Sequence, residues 1–203
     1  MSAALTLARP GTFLNLRQAL RMAAETFGAW LLADFLTGLV HWWEDAYAKA
    51  EWPVLGPLIA APNLLHHRDP RAMTRMRWWK NVDVPVLAGL LALGALAAFH
   101  ALRWPIALAI VLAALTNLVH RWAHQSAAEN GRLITWMQEK GLIQSRAQHA
   151  LHHRWPRKSH YCPLTNHLNP VLERFDFWRR MERTILRLTG LRRRREPKSG
   201  MAA

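Results

Sequence analysis

The stretches VPVLAGLLALGALAAFHAL (residues 84–102) and WPIALAIVLAALTNLV (residues 104–119) contain no charged residue, and only Arg103 separates them. A soluble domain of 203 residues does not need two adjacent uncharged segments of this length. A membrane-spanning helix, in contrast, needs about 20 predominantly apolar residues. The two stretches therefore predict a helical hairpin that crosses a membrane twice and turns near Arg103–Pro105.

The segments before the hairpin predict a further span. Residues 26–43, TFGAWLLADFLTGLVHWW, are apolar apart from Asp34 and His41 and end in a tryptophan pair suited to the headgroup layer. The helical spacing of Leu16, Leu20 and Phe27 predicts either an interfacial amphipathic helix or the start of this span. Residues 52–65 are apolar, but they are short and rich in proline, which favours a re-entrant or interfacial segment.

The predicted fold is all-α. It has about three transmembrane helices, additional amphipathic or interfacial helices, and a histidine-rich helical cap on the cytoplasmic side. An amphipathic helix is expected around residues 172–188 from its apolar spacing. We predict an amphipathic amino-terminal segment at 1–25, a single membrane domain at 26–190, and a basic, disordered tail at 191–203. The single cysteine excludes a disulfide framework and a Cys-rich metal site.

The positive charge is unevenly distributed along the chain. Three spans place residues 44–83 and 120–203 on one side, and these segments hold 23 of the 27 Lys and Arg residues. The positive-inside rule makes this side cytoplasmic. Attraction to anionic lipid explains the formal net charge of +14, so we expect no nucleic-acid partner.

The histidines follow the same division. Of the 11 histidines, only His100 lies at the far end, in the turn of the hairpin. The other ten lie on the predicted cytoplasmic side or at its boundary: His41, His66, His67, His120, His124, His149, His152, His153, His160 and His167.

The spacing of these histidines favours a metal centre. His120 and His124 share one helical face, with Asn117 one turn earlier, and the HxxHH run at 149–153 also places its histidines on one face. Asp34, His41 and Asp45 form one stripe on the first span, and a carboxylate near a ligating imidazole fixes its tautomer. Cys162 is expected to be a small buried residue rather than a ligand.

The HxxxH, HxxHH and HH motifs together with His41 contain eight histidines. This number exceeds the three or four ligands of one zinc ion, so the histidines divide into two centres of about four. The sequence contains no HExxH motif and too few carboxylates for the Glu-rich di-iron bundle. Two metals in an imidazole shell at a membrane surface favour O₂ activation by two iron ions. A membrane zinc hydrolase and a non-catalytic metal-binding membrane protein remain alternatives.

Four stretches in order resemble one family of membrane enzymes. They are ADFLTGLVHWWEDAY (33–47), PNLLHHRDPRAMTR (62–75), TNLVHRWAHQ (116–125) and QHALHHRWPRKSHYCPLTNHLNPVLERFDFWRRME (148–182). Together they are similar to the Kua/CarF-type lipid desaturase domain family, which includes the plasmanylethanolamine desaturases and belongs with the histidine-box membrane desaturases. The resemblance implies two iron ions, with O₂ as co-substrate and a phospholipid as substrate. The implied ligands are His41, His66, His67, His120, His124, His149, His152 and His153.

The resemblance also implies a reaction and two further site residues. Asp45 and Asn117 match family positions, and the family dehydrogenates a lipid chain. In the plasmanyl case a 1-O-alkyl ether becomes a vinyl ether; an acyl-lipid desaturase or a hydroxylase with the same site stays an alternative. Arg68, Arg71 and Arg75 are candidate contacts for the lipid headgroup. No flavin, haem or Rossmann motif is present, so a separate donor such as a ferredoxin or a cytochrome b5-like protein is expected to supply electrons.

Overall fold

The computed structural model describes residues 15–194. No β-strand occurs within these residues, which confirms the all-α prediction. A π-helix at Gly56–Ala60 precedes α2, and a 3₁₀-helix at Trp78–Asn81 precedes α4. The α-helices are α1 (Leu16–Ala46), α2 (Ala61–Arg68), α3 (Ala72–Arg75), α4 (Asp83–Ala98), α5 (Trp104–Ala123), α6 (Ala127–Glu139), α7 (Arg146–His152), α8 (Leu168–Arg174) and α9 (Phe177–Thr189).

Three long apolar helices form the framework, and α5 packs against both α1 and α4. At a rise of 1.5 Å per residue, α1 is about 46 Å long, α5 about 30 Å and α4 about 24 Å. Only α1 and α5 are both long and apolar enough to cross a hydrocarbon core of about 30 Å, while α4 is apolar but shorter. The predicted hairpin is present: α5 starts at Trp104, and Pro105 occupies its first turn, where a missing N–H costs nothing.

The surface of α4 agrees with the prediction of a membrane protein. None of its residues is buried, and Leu87, Leu90 and Leu91 expose 59–67% of their surface. A soluble monomer rarely exposes a continuous apolar patch of this size. Lipid chains would provide the apolar surroundings that α4 requires, which is consistent with a membrane helical protein.

The amino-terminal boundary differs from the sequence prediction. Helix α1 begins at Leu16 and continues without a break through the predicted boundary at 25/26. Asn15 starts it with a capping box, because the Asn15 side chain accepts from the Gln18 N–H and the Gln18 side chain accepts from the Asn15 N–H. From Leu16 onward, the predicted amphipathic segment is therefore continuous with the first predicted span; residues 1–14 lie outside the described part of the chain.

The carboxy-terminal region also differs in two respects. The amphipathic helix expected around 172–188 is two helices, because the chain breaks at Phe175–Asp176, where Asp176 has a φ of 50°. The tail predicted to be disordered from residue 191 is placed against the protein as far as Arg194. Residues 195–203 of that tail lie outside the described residues.

A stripe of α1 packs against the extended segment at 161–165. Gly38 allows the closest approach: a Cβ at this position would lie 2.6 Å from Cys162 Sγ and 3.1 Å from its Cα. Cys162 itself is fully buried, as expected, and burial raises the pKa of its thiol well above the ordinary value. This packing brings segment 161–165 beside the end of α1 that carries His41.

Candidate metal centre

Four helix ends converge at one pole of the bundle. Helices α1, α2 and α5 each end there, and the short helix α7 packs against α5 at the same end. Their histidine side chains are mostly buried. The eight histidines predicted as ligands are brought together here: His41 from α1, His66 and His67 from α2, His120 and His124 from α5 and its cap, and His149, His152 and His153 from α7 and its cap.

The donor atoms form two separate groups, each of which could hold a metal ion, and within each group they lie within 4.8 Å of one another. The five-histidine group is His66, His120, His124, His149 and His153. The mixed group is His41, Asp45, His67 and His152. The division into two sets of about four ligands follows the expectation from the sequence, with Asp45 added as a donor rather than only as support.

Distances within the five-histidine group match the size of a metal ion. His66 Nε2 lies 3.0 Å from the Nε2 atoms of both His120 and His153, and His149 Nε2 lies 3.0 Å from His153 Nε2. Metal–imidazole bonds of about 2.1 Å place neighbouring nitrogens roughly 2.9–3.4 Å apart, for angles between octahedral and tetrahedral. The nitrogens therefore already stand at the separation that a shared ion requires.

Hydrogen bonds fix the tautomers in the mixed group. His41 Nδ1 lies 3.0 Å from the Tyr161 carbonyl oxygen, and His152 Nδ1 lies 3.0 Å from the Ser159 carbonyl oxygen. A carbonyl oxygen only accepts, so Nδ1 carries the proton in both rings. In the neutral imidazoles the Nε2 lone pairs are then available to a metal, which is how proteins orient histidine ligands.

A cation would resolve an electrostatic conflict in this group. The lone pair of neutral His152 Nε2 lies 3.4 Å from Asp45 Oδ2, and His67 Nε2 lies 3.2 Å from Asp45 Oδ1. Asp45 is fully buried, and Asn63 donates a hydrogen bond of 2.7 Å to its Oδ1. A buried carboxylate facing a lone pair is unfavourable unless a positive charge lies between them. The donor set thus fits a metal ion.

Several of the buried imidazoles have pKa values that favour the neutral form, which is the form that binds metal. Burial, and then repulsion from neighbouring imidazoles, lowers the pKa of His66, His149 and His152 well below the ordinary value. Burial and the nearby Arg146 lower the pKa of His124 to about 4. His124 Nε2 is buried and has no hydrogen-bond partner in the described residues. A neutral nitrogen without a partner, grouped with four others, could serve as a metal ligand.

Two residues predicted to support the ligands make other contacts. Asp34 belongs to neither group; it accepts hydrogen bonds from the Leu164 N–H (2.8 Å) and the Thr165 hydroxyl (2.5 Å). Asn117 donates to the Asn81 carbonyl oxygen at 2.9 Å and so ties α5 to the 3₁₀-helix. Both residues position segments around the centre.

The three candidate headgroup arginines differ in their contacts. Arg71 pairs with Glu129 at 2.5 Å, and Arg75 pairs with Asp69. Arg68 is exposed and makes no hydrogen bond or ion pair with the described part of the chain. The charge of Arg68 is thus the one of the three that no carboxylate offsets.

The remaining histidines lie outside both groups. His100 is exposed in the turn between α4 and α5, and His167 is exposed beside Trp30. His160 has a φ of 59°, and its Nδ1 lies 2.9 Å from Ser159 Oγ.

The sequence did not predict four residues that contact the candidate ligands or the segments carrying them. They are Asn63, Tyr161, Arg193 and Arg194, whose contacts involve side chains or carbonyl groups that no motif spacing reports. Arg121 was also missed: its guanidinium donates to the carbonyl oxygens of Met73, Thr74 and Met76. In this way it fixes α3 against α5.

The sequence model of the lipid desaturase domain matches residues 30–196, which include every residue of both groups. The chain belongs to the lipid desaturase domain family. This family membership confirms the resemblance identified in the sequence and makes the chain a member of an oxidoreductase family. No solved structure matches this lipid desaturase.

Named relatives of this lipid desaturase come from viruses, animals, bacteria and plants. It is 29% identical over 165 residues to a probable fatty acid desaturase of Acanthamoeba polyphaga mimivirus, covering 81% of this chain and 82% of the viral protein. It is 33% identical over 172 residues to plasmanylethanolamine desaturase 1 of Mus musculus, covering 79% and 63%. It is 30% identical over 183 residues to the chloroplastic fatty acid desaturase 4 of Arabidopsis thaliana, covering 86% and 55%. The chain thus spans most of the viral relative but less than two thirds of the mouse and plant relatives.

Proposed function

We propose that this chain is an oxygen-dependent di-iron desaturase that introduces a double bond into a phospholipid chain within the membrane. The observation that carries the proposal is the convergence of nine donor atoms in two adjacent groups at the polar end of the helices. Family membership supports lipid desaturation as the reaction. The imidazole-rich donor set suits iron, and its division into two groups suits a pair of ions.

The overall reaction consumes O₂ and two electrons. A CH₂–CH₂ unit loses two hydrogens and becomes CH=CH, and O₂ with two electrons and two further protons becomes two waters. Two iron ions, when bound, would supply the oxygen activation that this reaction requires. The five-histidine group would hold one ion and the mixed group the other.

The surrounding residues keep these imidazole donors neutral and oriented, and they limit the access of water. The lowered pKa values of His149 and His152 keep these ligands unprotonated, and the carbonyl groups of Tyr161 and Ser159 direct Nε2 toward the centre. Nearly all of the donor side chains are buried. Exclusion of water limits the side reactions of a strong oxidant.

The position of the centre favours a bond near the lipid headgroup. His41 and His120 lie near the ends of α1 and α5 rather than in the middle of these spans. Trp78 and Trp79 are exposed just before α4, as is typical of residues in the headgroup layer. We therefore favour the plasmanyl reaction, in which the first two carbons of an ether chain lose hydrogen, over desaturation deep in an acyl chain or hydroxylation.

The exposed arginine Arg68 is the proposed headgroup contact, because Arg71 and Arg75 are already paired with carboxylates. Arg68 follows the ligand pair on α2 directly, so a phosphate bound there would lie at the entrance of the centre. We infer that this face is cytoplasmic from the charge distribution. A separate electron donor, of ferredoxin or cytochrome b5-like type, would dock on the same side.

Lipid analysis of cells that express the chain tests the proposal. We expect acid-labile vinyl ethers, formed only with oxygen, from the wild type and from His100→Ala, whose side chain is far from the centre. His120→Ala and His153→Ala should abolish the product and reduce bound iron. If the wild type instead forms a new double bond in an acyl chain, the chain is an acyl-lipid desaturase and the plasmanyl reaction is refuted. Purified protein with two zinc ions and no iron would refute the di-iron assignment.

A further inference from the structure

The basic run at 192–195 contains two arginines that are packed into the protein. Arg192 is exposed, but the Arg193 side chain has only 8% of its surface exposed. A charged side chain is seldom buried unless its partners satisfy it. The contacts of Arg193 and Arg194 show why these two residues are placed inside.

Arg193 makes a three-point contact with its surroundings. Its Nη1 lies 2.6 Å from Glu182 Oε1 and 2.8 Å from the Tyr161 hydroxyl, and its Nη2 donates to the Arg157 carbonyl oxygen at 3.0 Å. A guanidinium reaches these acceptors from two nitrogens held in a rigid planar fork, whereas all the donors of a lysine radiate from one nitrogen. Arg193 therefore connects α9, through Glu182, to the segment that follows α7.

Tyr161 connects Arg193 to the mixed group. Its side chain is fully buried, and its ring centroid lies 5.8 Å from that of His41 and 5.2 Å from that of His152. Its carbonyl oxygen accepts the hydrogen bond from His41 Nδ1. A displacement of Tyr161 would thus change the orientation of His41 directly and remove packing from His152.

Arg194 contacts the end of α1, which carries Asp45 of the mixed group. Its backbone N–H donates to the Ala46 carbonyl oxygen at 2.7 Å, and its guanidinium donates to the carbonyl oxygens of Ala48 (2.8 Å) and Asp45 (3.1 Å). These atoms lie at the end of α1, where carbonyl groups lack helical partners and attract a cation. Arg194 therefore fixes the last turn of α1, which carries Asp45.

We propose that Arg193 and Arg194 are positioning residues that make metal binding by the mixed group depend on the carboxy-terminal segment. Within the described residues, neither arginine forms a hydrogen bond or an ion pair with the five-histidine group, so the two ions should differ in their dependence on this segment. The inference rests on the proposed metal centre. It adds that the affinity for one ion depends on the carboxy-terminal segment and the affinity for the other does not.

Iron titration of the purified full chain in detergent tests this inference. We expect two ions per wild-type chain and two per Arg192→Ala chain, the matched control from the same arginine run. In Arg193→Met the affinity for one ion should fall 10–100-fold, the usual effect of removing a residue that orients a ligand, while the other ion stays bound. Arg193→Lys should restore only part of the affinity, and Mössbauer spectra should report loss of one iron environment.

Tyr161→Phe covers the case in which Arg193→Met does not fold, since it keeps the ring and removes the hydroxyl, which accepts from Arg193 Nη1 and donates to the Arg157 carbonyl oxygen. Weakened binding of one ion in Tyr161→Phe would support the inference. Two ions at wild-type affinity in Arg193→Met or, failing that, in Tyr161→Phe would overturn it, as would equal weakening of both ions. A wild type that binds no metal would instead refute the metal centre itself, which is a different result.

Discussion

Gly38 permits the contact between α1 and segment 161–165, and a Gly38→Ala change tests how much this contact matters. The added Cβ would lie 2.6 Å from Cys162 Sγ and 3.1 Å from its Cα, so the segment would have to move. Overpacking of this kind costs about 1–3 kcal/mol. The gain in helix propensity from Gly to Ala offsets about 1 kcal/mol of that cost.

Gly28→Ala is the matched control, because Gly28 lies on the same helix and a Cβ there would meet no atom within 4 Å. The propensity gain is common to both variants, so their difference isolates the overpacking. We expect Gly38→Ala to be about 1–3 kcal/mol less stable than Gly28→Ala, or roughly 2–12 °C lower in melting temperature for a chain of this size. Thermal unfolding of the purified protein in one detergent measures the difference.

The displaced segment should also affect metal binding. Tyr161, one residue before Cys162, accepts the hydrogen bond that orients His41, so Gly38→Ala should bind less iron than Gly28→Ala. Adding Cys162→Ala removes the closest atom and should recover part of both losses in a double-mutant cycle. Equal melting temperatures and equal iron content in Gly38→Ala and Gly28→Ala would refute the proposed role of this close approach.

Other contacts give further tests. Asp34→Ala leaves two buried donors without an acceptor, which should destabilise the protein by about 2–5 kcal/mol in thermal unfolding; a loss below 1 kcal/mol would contradict the role assigned to Asp34. Arg121→Met removes the donors to three carbonyl groups of α3 and its C-cap and should increase proteolysis at residues 73–76, relative to Arg132→Met on the exposed surface. Asn63→Ala should lower iron affinity about 10–100-fold by freeing Asp45, with unchanged affinity counting against this contact. Removal of iron by a chelator should lower the melting temperature, because the ions bind only the folded chain.

The long helices could be predicted because their determinants are local. Uncharged runs at 84–102 and 104–119 specify a hairpin through hydropathy alone, and the structure places α4 and α5 there. Boundaries were less accurate where apolar spacing continues through a break. The break at Asp176 depends on a left-handed backbone conformation, which the apolar pattern around it does not reveal.

The histidine groups could also be anticipated, because HxxxH and HxxHH place several imidazoles on one helical face. Helical spacing predicted that Asp45 lies near His41, although it could not show that Asp45 faces His67 and His152 from another helix. Asp34 shares the stripe of Asp45 but contacts Leu164 and Thr165. Helical spacing therefore predicted the shared face of Asp34 and Asp45 correctly. It could not predict the hydrogen-bond partners of Asp34, because they lie about 130 residues later in the sequence.

The contacts of Arg193 and Arg194 were the least predictable feature. A run of four arginines near the end of a basic chain has the composition of a solvated tail. Burial of two of them depends on Glu182, Tyr161 and the end of α1, which come together only after the chain has folded. Charge runs therefore give no information on which members are solvated.

The unequal lengths of the three long helices have a consequence for the surrounding lipid. Helix α4 is about 6 Å shorter than a typical hydrocarbon core and faces lipid on every side that α5 does not cover. The bilayer must thin beside α4, or α4 must draw its flanking residues inward, at a cost of a fraction of a kcal/mol per ångström. Lipids with shorter chains should therefore gather along this flank, and the thickness of the host membrane becomes a variable that tunes how the protein sits and which lipids reach it.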